Sequence, residues 1–101
     1  MHNKKDRQNL DSIRAHQHMI DGYLRKDMLR CAGVWFCFAV RLIQELQDMD
    51  AGVALMENVY TQTQINQMLR NTDTVTRVKW VLVRRPRLYH LVFDFKRKIF
   101  G

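Results

Sequence analysis

Apolar side chains fall along this chain in blocks whose spacing is helical. Leu10, Ile13, Gln17, Ile20 and Leu24 recur at intervals of three and four, the repeat that lines one buried stripe of a helix. Met19 and Tyr23 widen that stripe. The spacing predicts a first helix over residues 6–25, with residues 1–5 frayed. Gly22 marks a place for a kink or an early end, since glycine costs about 1 kcal/mol in a helix interior.

The most apolar stretch is Cys31-Ala32-Gly33-Val34-Trp35-Phe36-Cys37-Phe38-Ala39-Val40, without a charge between Arg30 and Arg41. With Met28, Leu29, Leu42, Ile43, Leu46 and Met49 it predicts a central helix over residues 27–50, capped by Asp27 and stopped by Gly52. A strand over 34–40 competes, because aromatic and β-branched residues favour it; the helical flanks favour helix. A helix apolar nearly all round needs cover nearly all round. The other helices offer only narrow stripes, so Trp35, Phe36 and Phe38 are expected to form a docking face for a partner chain, a missing domain or lipid.

Beyond it, Val53, Ala54, Leu55, Met56, Val59 and Tyr60 predict a third helix. Thr61 or Thr63 then caps a short fourth helix carrying Ile65, Met68 and Leu69. Asn71-Thr72-Asp73 is the clearest break, rich in residues that bond their own backbone in turns. Over 74–85, Val75, Val78 and Leu82 fit a helix, while the alternation around Val78, Trp80 and Leu82 fits a strand. A lone strand would have no partner, which favours helix. Pro86 suits the start of a last helix with Leu88, Leu91, Val92, Phe95, Ile99 and Phe100 on its apolar face. The expected fold is all-α: a single module over 1–101, a small bundle of four to five helices around the central one, closed by a basic amphipathic helix. Hydrophobic residues make up 47% of the chain, enough for a modest core. At this size roughly two-thirds of the surface is buried at best.

Charge changes the picture more than composition does. The net charge is +7, and its position is uneven. Residues 1–76 carry nine Lys/Arg against nine Asp/Glu, whereas residues 77–101 carry eight Lys/Arg against Asp94 alone. The tail region 74–101 therefore holds the whole excess. Arg84, Arg85, Arg87, Lys96, Arg97 and Lys98 are the candidate residues for binding an anionic surface. Cations flanking an apolar face with Trp80, Tyr89, Phe93, Phe95 and Phe100 suit a helix at an anionic membrane interface. They also suit nucleic acid, where cations meet phosphate and aromatics stack on bases. The plainer reading is a helix packed on its own core with solvated cations.

Catalytic chemistry finds little support. Asp48-Met49-Asp50 has the spacing of a metal-binding carboxylate pair, but it is expected to end a helix rather than a strand. His16 and His18 diverge on a helix, where zinc pairs need spacings of three or four. Both are read as solvated, and His2 and His90 are isolated. Cys31 and Cys37, six apart on one helix, lie about 9 Å apart along the axis, too far for a disulfide. They are expected to be inert core thiols in a reducing compartment. No phosphate loop, GxSxG or CxxC is present. No catalytic, cofactor-binding or metal-binding residue is assigned, and no cofactor is expected. The apolar run of ten falls short of the roughly 20 residues that span a bilayer, and no secretory signal is visible at the start of this sequence.

The polar Met1-His2-Asn3-Lys4-Lys5, followed by an amphipathic and then an aromatic-rich helix, resembles the C-terminal extension of bacterial family 2 (GT-A fold) glycosyltransferases. The ending, Arg87-Leu88-Tyr89 through Lys96-Arg97-Lys98-Ile99-Phe100-Gly101, resembles the basic amphipathic helix that closes such chains near the inner membrane face. The resemblance implies a parent enzyme of sugar-nucleotide chemistry, such as surface polysaccharide synthesis, whose catalytic domain is absent from this sequence. None of that family's active-site motifs occurs here, so no functional residue carries over. The expected function is a non-catalytic accessory module, cytoplasmic or peripheral on the inner membrane face. Its partners would be the missing catalytic domain, a second copy, or an anionic membrane surface. A small basic nucleic-acid-binding protein is the alternative.

Overall fold

The computed structural model describes residues 4–85, with 87 and 91. Five helices follow one another: α1 (Lys4–Arg25), α2 (Leu29–Gln44), α3 (Met49–Val59), α4 (Gln62–Arg70) and α5 (Thr74–Val83). No strand occurs among the described residues. The fold is the expected all-α bundle, and both stretches with a competing strand pattern are helical. Burial decides them. Ala32, Phe36, Ala39, Val40 and Ile43 line one face of α2, as do Thr76, Trp80 and Val83 of α5, and packing on a core overrides modest β-propensity. The last predicted helix lies outside the described residues.

α2 packs along α1 and also touches α3, α4 and α5. Ile13 and Ile20 of α1, Phe36, Val40 and Ile43 of α2, Met56, Ile65, Met68, Trp80 and Val83 meet in one core. Each such side chain contributes about 1.5–3 kcal/mol when fully buried. Gln17 lies within the stripe of α1, yet its amide is not wasted: Nε2 donates to the Leu55 carbonyl at 2.9 Å. Tyr60 is buried beside it, with its hydroxyl 2.9 Å from Asp21 Oδ1 and 3.2 Å from the Gln17 carbonyl. Together they tie α3 to α1.

The expected central helix over 27–50 is two helices. α2 ends at Gln44, where the Glu45 and Leu46 amides turn back to the Leu42 and Ile43 carbonyls. The next two amides, of Gln47 and Asp48, donate to the buried carboxylate of Asp6 at 3.1 and 3.2 Å. Asp48 then caps α3 by accepting from the Ala51 amide. Gly52 does not stop a helix. It lies within α3, where a Cβ would sit 2.7 Å from Leu46 Cδ1 and 2.8 Å from Ile43 Cγ1. Asp27 does not cap α2; the N-cap is Met28, with no side-chain bond. Asp27 instead closes α1, at φ 56°. Its amide bonds the Leu24 carbonyl and the Met28 amide bonds that of Tyr23, the paired closure of a Schellman motif. α1 runs through Gly22 without ending there.

Two expected joints have the anticipated chemistry. Thr61 caps α4 in a capping box with Gln64, and Asp73, in the predicted break, caps α5 by accepting from the Thr76 amide. Arg77 reaches back from α5 to the Leu69, Arg70 and Thr72 carbonyls, covering acceptors that the end of α4 leaves open.

Candidate docking surfaces

α2 presents two chemistries. Its inward face carries Phe36, which is fully buried and meets Trp80 edge to face at 5.2 Å. Phe36 therefore belongs to the core and not to the expected docking face. Trp35 is half-buried and Phe38 remains 40% exposed. They meet each other at 5.7 Å and His16 of α1 at 5.1 and 6.4 Å, all edge to face. His16 is half-buried rather than freely solvated. Its Nδ1 lies 2.7 Å from the Ser12 carbonyl. A carbonyl only accepts, so Nδ1 carries the proton and donates.

Farther out on α2, Arg30, Val34, Phe38 and Arg41 are exposed, followed by Glu45 at its C-cap. Val34 is 51% exposed. Steps of four, four, three and four keep these residues on one stripe, because the helix repeats every 3.6 residues.

Beside the stripe lies a cleft of about 180 Å³ between α2 and the α4–α5 turn. Gly33, Val34, Cys37 and Phe38 form one wall; Asn71, Thr72, Asp73 and Thr76 form the other. The close approach depends on Gly33, whose missing Cβ would sit 3.1 Å from the Asn71 carbonyl oxygen. The cleft is smaller than the roughly 300 Å³ at which small-molecule sites begin, so it suits a single side chain. Cys31 and Cys37 are free and half-buried, not core thiols. The Thr76 hydroxyl donates to Cys37 Sγ at 3.1 Å. The bonds from Thr76, with smaller help from Lys79 and Arg41, hold the Asp73 carboxyl below its usual range.

α5 is apolar on two sides. Trp80 and Val83 face the core, while Val75, Val78 and Val81 face outward at 58%, 52% and 51% exposure. The helix then runs into Arg84, Arg85 and Arg87, all exposed. Arg84 lies 6.0 Å over the Trp80 ring and 3.4 Å from Glu57, so part of its charge is already answered. Lys96, Arg97 and Lys98 lie outside the described residues.

Comparison with protein-family models, with curated proteins and with solved structures returns no match. The chemistry of this chain thus rests on its own side chains. The expectation that Asp48-Met49-Asp50 ends a helix is overturned: Asp48 begins α3 and caps it. No group of three or more His, Cys, Asp or Glu able to hold a metal occurs among the described residues. No described helix is long and apolar enough to cross a membrane.

The sequence reading missed the His16 stack and the cleft. His16 carries a weak signal, since it precedes Met19 and Tyr23 on one flank of the α1 stripe. The cleft carries none, because its walls come from segments 39 residues apart, at Cys37 and Thr76.

Proposed function

We propose that the chain is a non-catalytic helical accessory module that docks on an anionic membrane surface through α5 and the basic segment after it. One observation carries this reading: Val75, Val78 and Val81 face solvent on a helix that leads directly into Arg84, Arg85 and Arg87. Outward valines lower helix propensity relative to straight-chain residues and gain no burial in the isolated bundle. Apolar residues with cations beside them suit the boundary between acyl chains and acidic headgroups. The resemblance to glycosyltransferase extensions supplies a role: holding a polysaccharide-building catalytic domain at the inner membrane face.

Sedimentation with phosphatidylcholine vesicles, with and without phosphatidylglycerol, tests this. Binding is expected only to the acidic vesicles and is expected to fall with salt. Val78→Asp should abolish it, and Arg85→Gln should weaken it about fivefold, the worth of one surface cation at about 1 kcal/mol. Equal binding to both vesicle types would end the proposal. The excess of cations over residues 77–101 also supports a nucleic-acid reading. Salt-sensitive retardation of mixed DNA or RNA in a gel, without vesicle binding, would favour that alternative.

A further inference from the structure

We propose that the outer stripe of α2 is a self-association surface, through which two copies of this chain pair antiparallel about a two-fold axis. The stripe contains none of the outward valines of α5, so the inference does not rest on the membrane reading.

Charge supplies the first argument. Arg30 stands in the first turn of α2 and Glu45 at its C-cap, with Val34 and Phe38 exposed between them. Neither Arg30 nor Glu45 is in an ion pair among the described residues. Fifteen residues of helix separate them by about 22 Å. Arg41 also lies between them, one turn before Glu45, and its charge acts on the Asp73 carboxyl of the same copy. The stripe otherwise carries a cation at one end, an anion at the other and Val34 and Phe38 between, which is complementary to itself when reversed. A two-fold contact uses the same patch on both subunits, so one pairing of Arg30 with Glu45 of the second copy necessarily makes two.

The helix dipole supplies the second. The N-terminus of a helix is partially positive and its C-terminus partially negative. Arg30 and Glu45 each stand at the end that disfavours them in a single α2. Antiparallel pairing brings Arg30 to the C-terminal end of the second copy's α2 and Glu45 to its N-terminal end, where each is favoured.

Shape supplies the third. Setting Arg30 opposite Glu45 fixes the register and places Phe38 opposite Cys37 of the second copy. Cys37 lines the cleft of about 180 Å³ beside the stripe. Each exposed Phe38 ring is thereby brought to the rim of a side-chain-sized cleft on the other copy. In the same register Val34 lies opposite Arg41, whose aliphatic stem can cover it. The contact is shorter than the interfaces of permanent dimers, which bury 2,000 Å² or more, so a weak dimer is expected.

Sedimentation equilibrium of the full 101-residue chain, under reducing conditions and without lipid, tests the pairing from micromolar to millimolar concentration. The expected result is a concentration-dependent monomer–dimer equilibrium. Arg30→Glu and Glu45→Arg should each weaken it about tenfold, since each reversal turns two attractive contacts repulsive. An equimolar mixture of the two variants should recover dimer, as should the double variant alone. Phe38→Asp should leave monomer only, with helix content checked by circular dichroism. A chain that stays monomeric throughout overturns the proposal. So does a dimer indifferent to the charge reversals, or single variants whose mixture fails to recover.

Discussion

Asp27 holds a backbone conformation that most side chains avoid. At φ 56° a Cβ crowds the following carbonyl, a cost of roughly 1–2 kcal/mol that Asp and Asn partly escape. Glycine has no such cost. Asp27→Gly should therefore raise the midpoint of urea unfolding, with a gain of about 0.5–1 kcal/mol. An unchanged or lowered midpoint would mean that the Asp27 side chain contributes more than its backbone costs. Tyr60 is the second residue whose surroundings reach a measurable property. Burial, then the hydrogen bond to Asp21 and the charge of that carboxylate, raise its pKa above the usual value of about 10. A raised folded pKa means that the stabilisation is complete below the unfolded value and is lost as pH rises beyond it. An alkaline loss of stability is thus expected above about pH 10. Tyr60→Phe should remove that step while lowering stability at pH 7 by about 1 kcal/mol for the lost hydrogen bond. Urea midpoints measured across that pH range decide it, and an alkaline step unchanged in the variant would assign it elsewhere.

Among the elements, two helical glycines make opposite predictions from the same residue type. Gly22 has open space where a Cβ would stand, so Gly22→Ala should stabilise α1 by about 1 kcal/mol through helix propensity alone. Gly52 faces Leu46 and Ile43 at under 3 Å from that point. Gly52→Ala should destabilise by about 1–3 kcal/mol, the usual cost of overpacking. Thermal melts of the two variants should shift in opposite directions; a shift of the same sign would mean that α3 is free to move away from the end of α2. From the sequence alone both glycines look like interruptions. The break between α2 and α3 instead lies at residues 45–48, which carry no Gly or Pro. Asp6 takes two amides there from 41 and 42 residues away, and no local pattern announces such a partner.

At the scale of the whole molecule, the bundle covers the inward half of α2 and leaves Val34 and Phe38 outside. The expectation that α2 wants more cover than its neighbours give rested on its all-round apolarity. Exposure now divides that surface by residue: Phe36 is core, Trp35 is half-covered by His16, and Phe38 is open. The valine face of α5 is a second uncovered surface on another helix. The two proposed contacts are therefore separable. Phe38→Asp should leave vesicle binding intact, and Val78→Asp should leave self-association intact. A variant that loses both at once, with its helix content unchanged, would show a single surface serving both.

Periodicity and turn chemistry pointed to a helical bundle, to the buried face of α1, and to a threonine at 61 or 63 and the 71–73 break as the joints between α3, α4 and α5. Those features follow from local rules: spacings of three and four, capping side chains and turn-forming residues act over a few positions. The two stretches where a strand competed were decided by burial. The sequence also placed the cationic excess after residue 76, since charge needs no fold to be counted. Only the tertiary structure decided where α2 ends, that Phe36 and not Phe38 fills the core, and that a cleft opens between Cys37 and Thr76. Each of these depends on contacts between segments about 40 residues apart. On a helix as apolar as residues 31–40, the pattern marks no unique buried face. Residues 31–40 thus carry a core stripe and an outer stripe on one helix, and the neighbours that pack on it determine which is which.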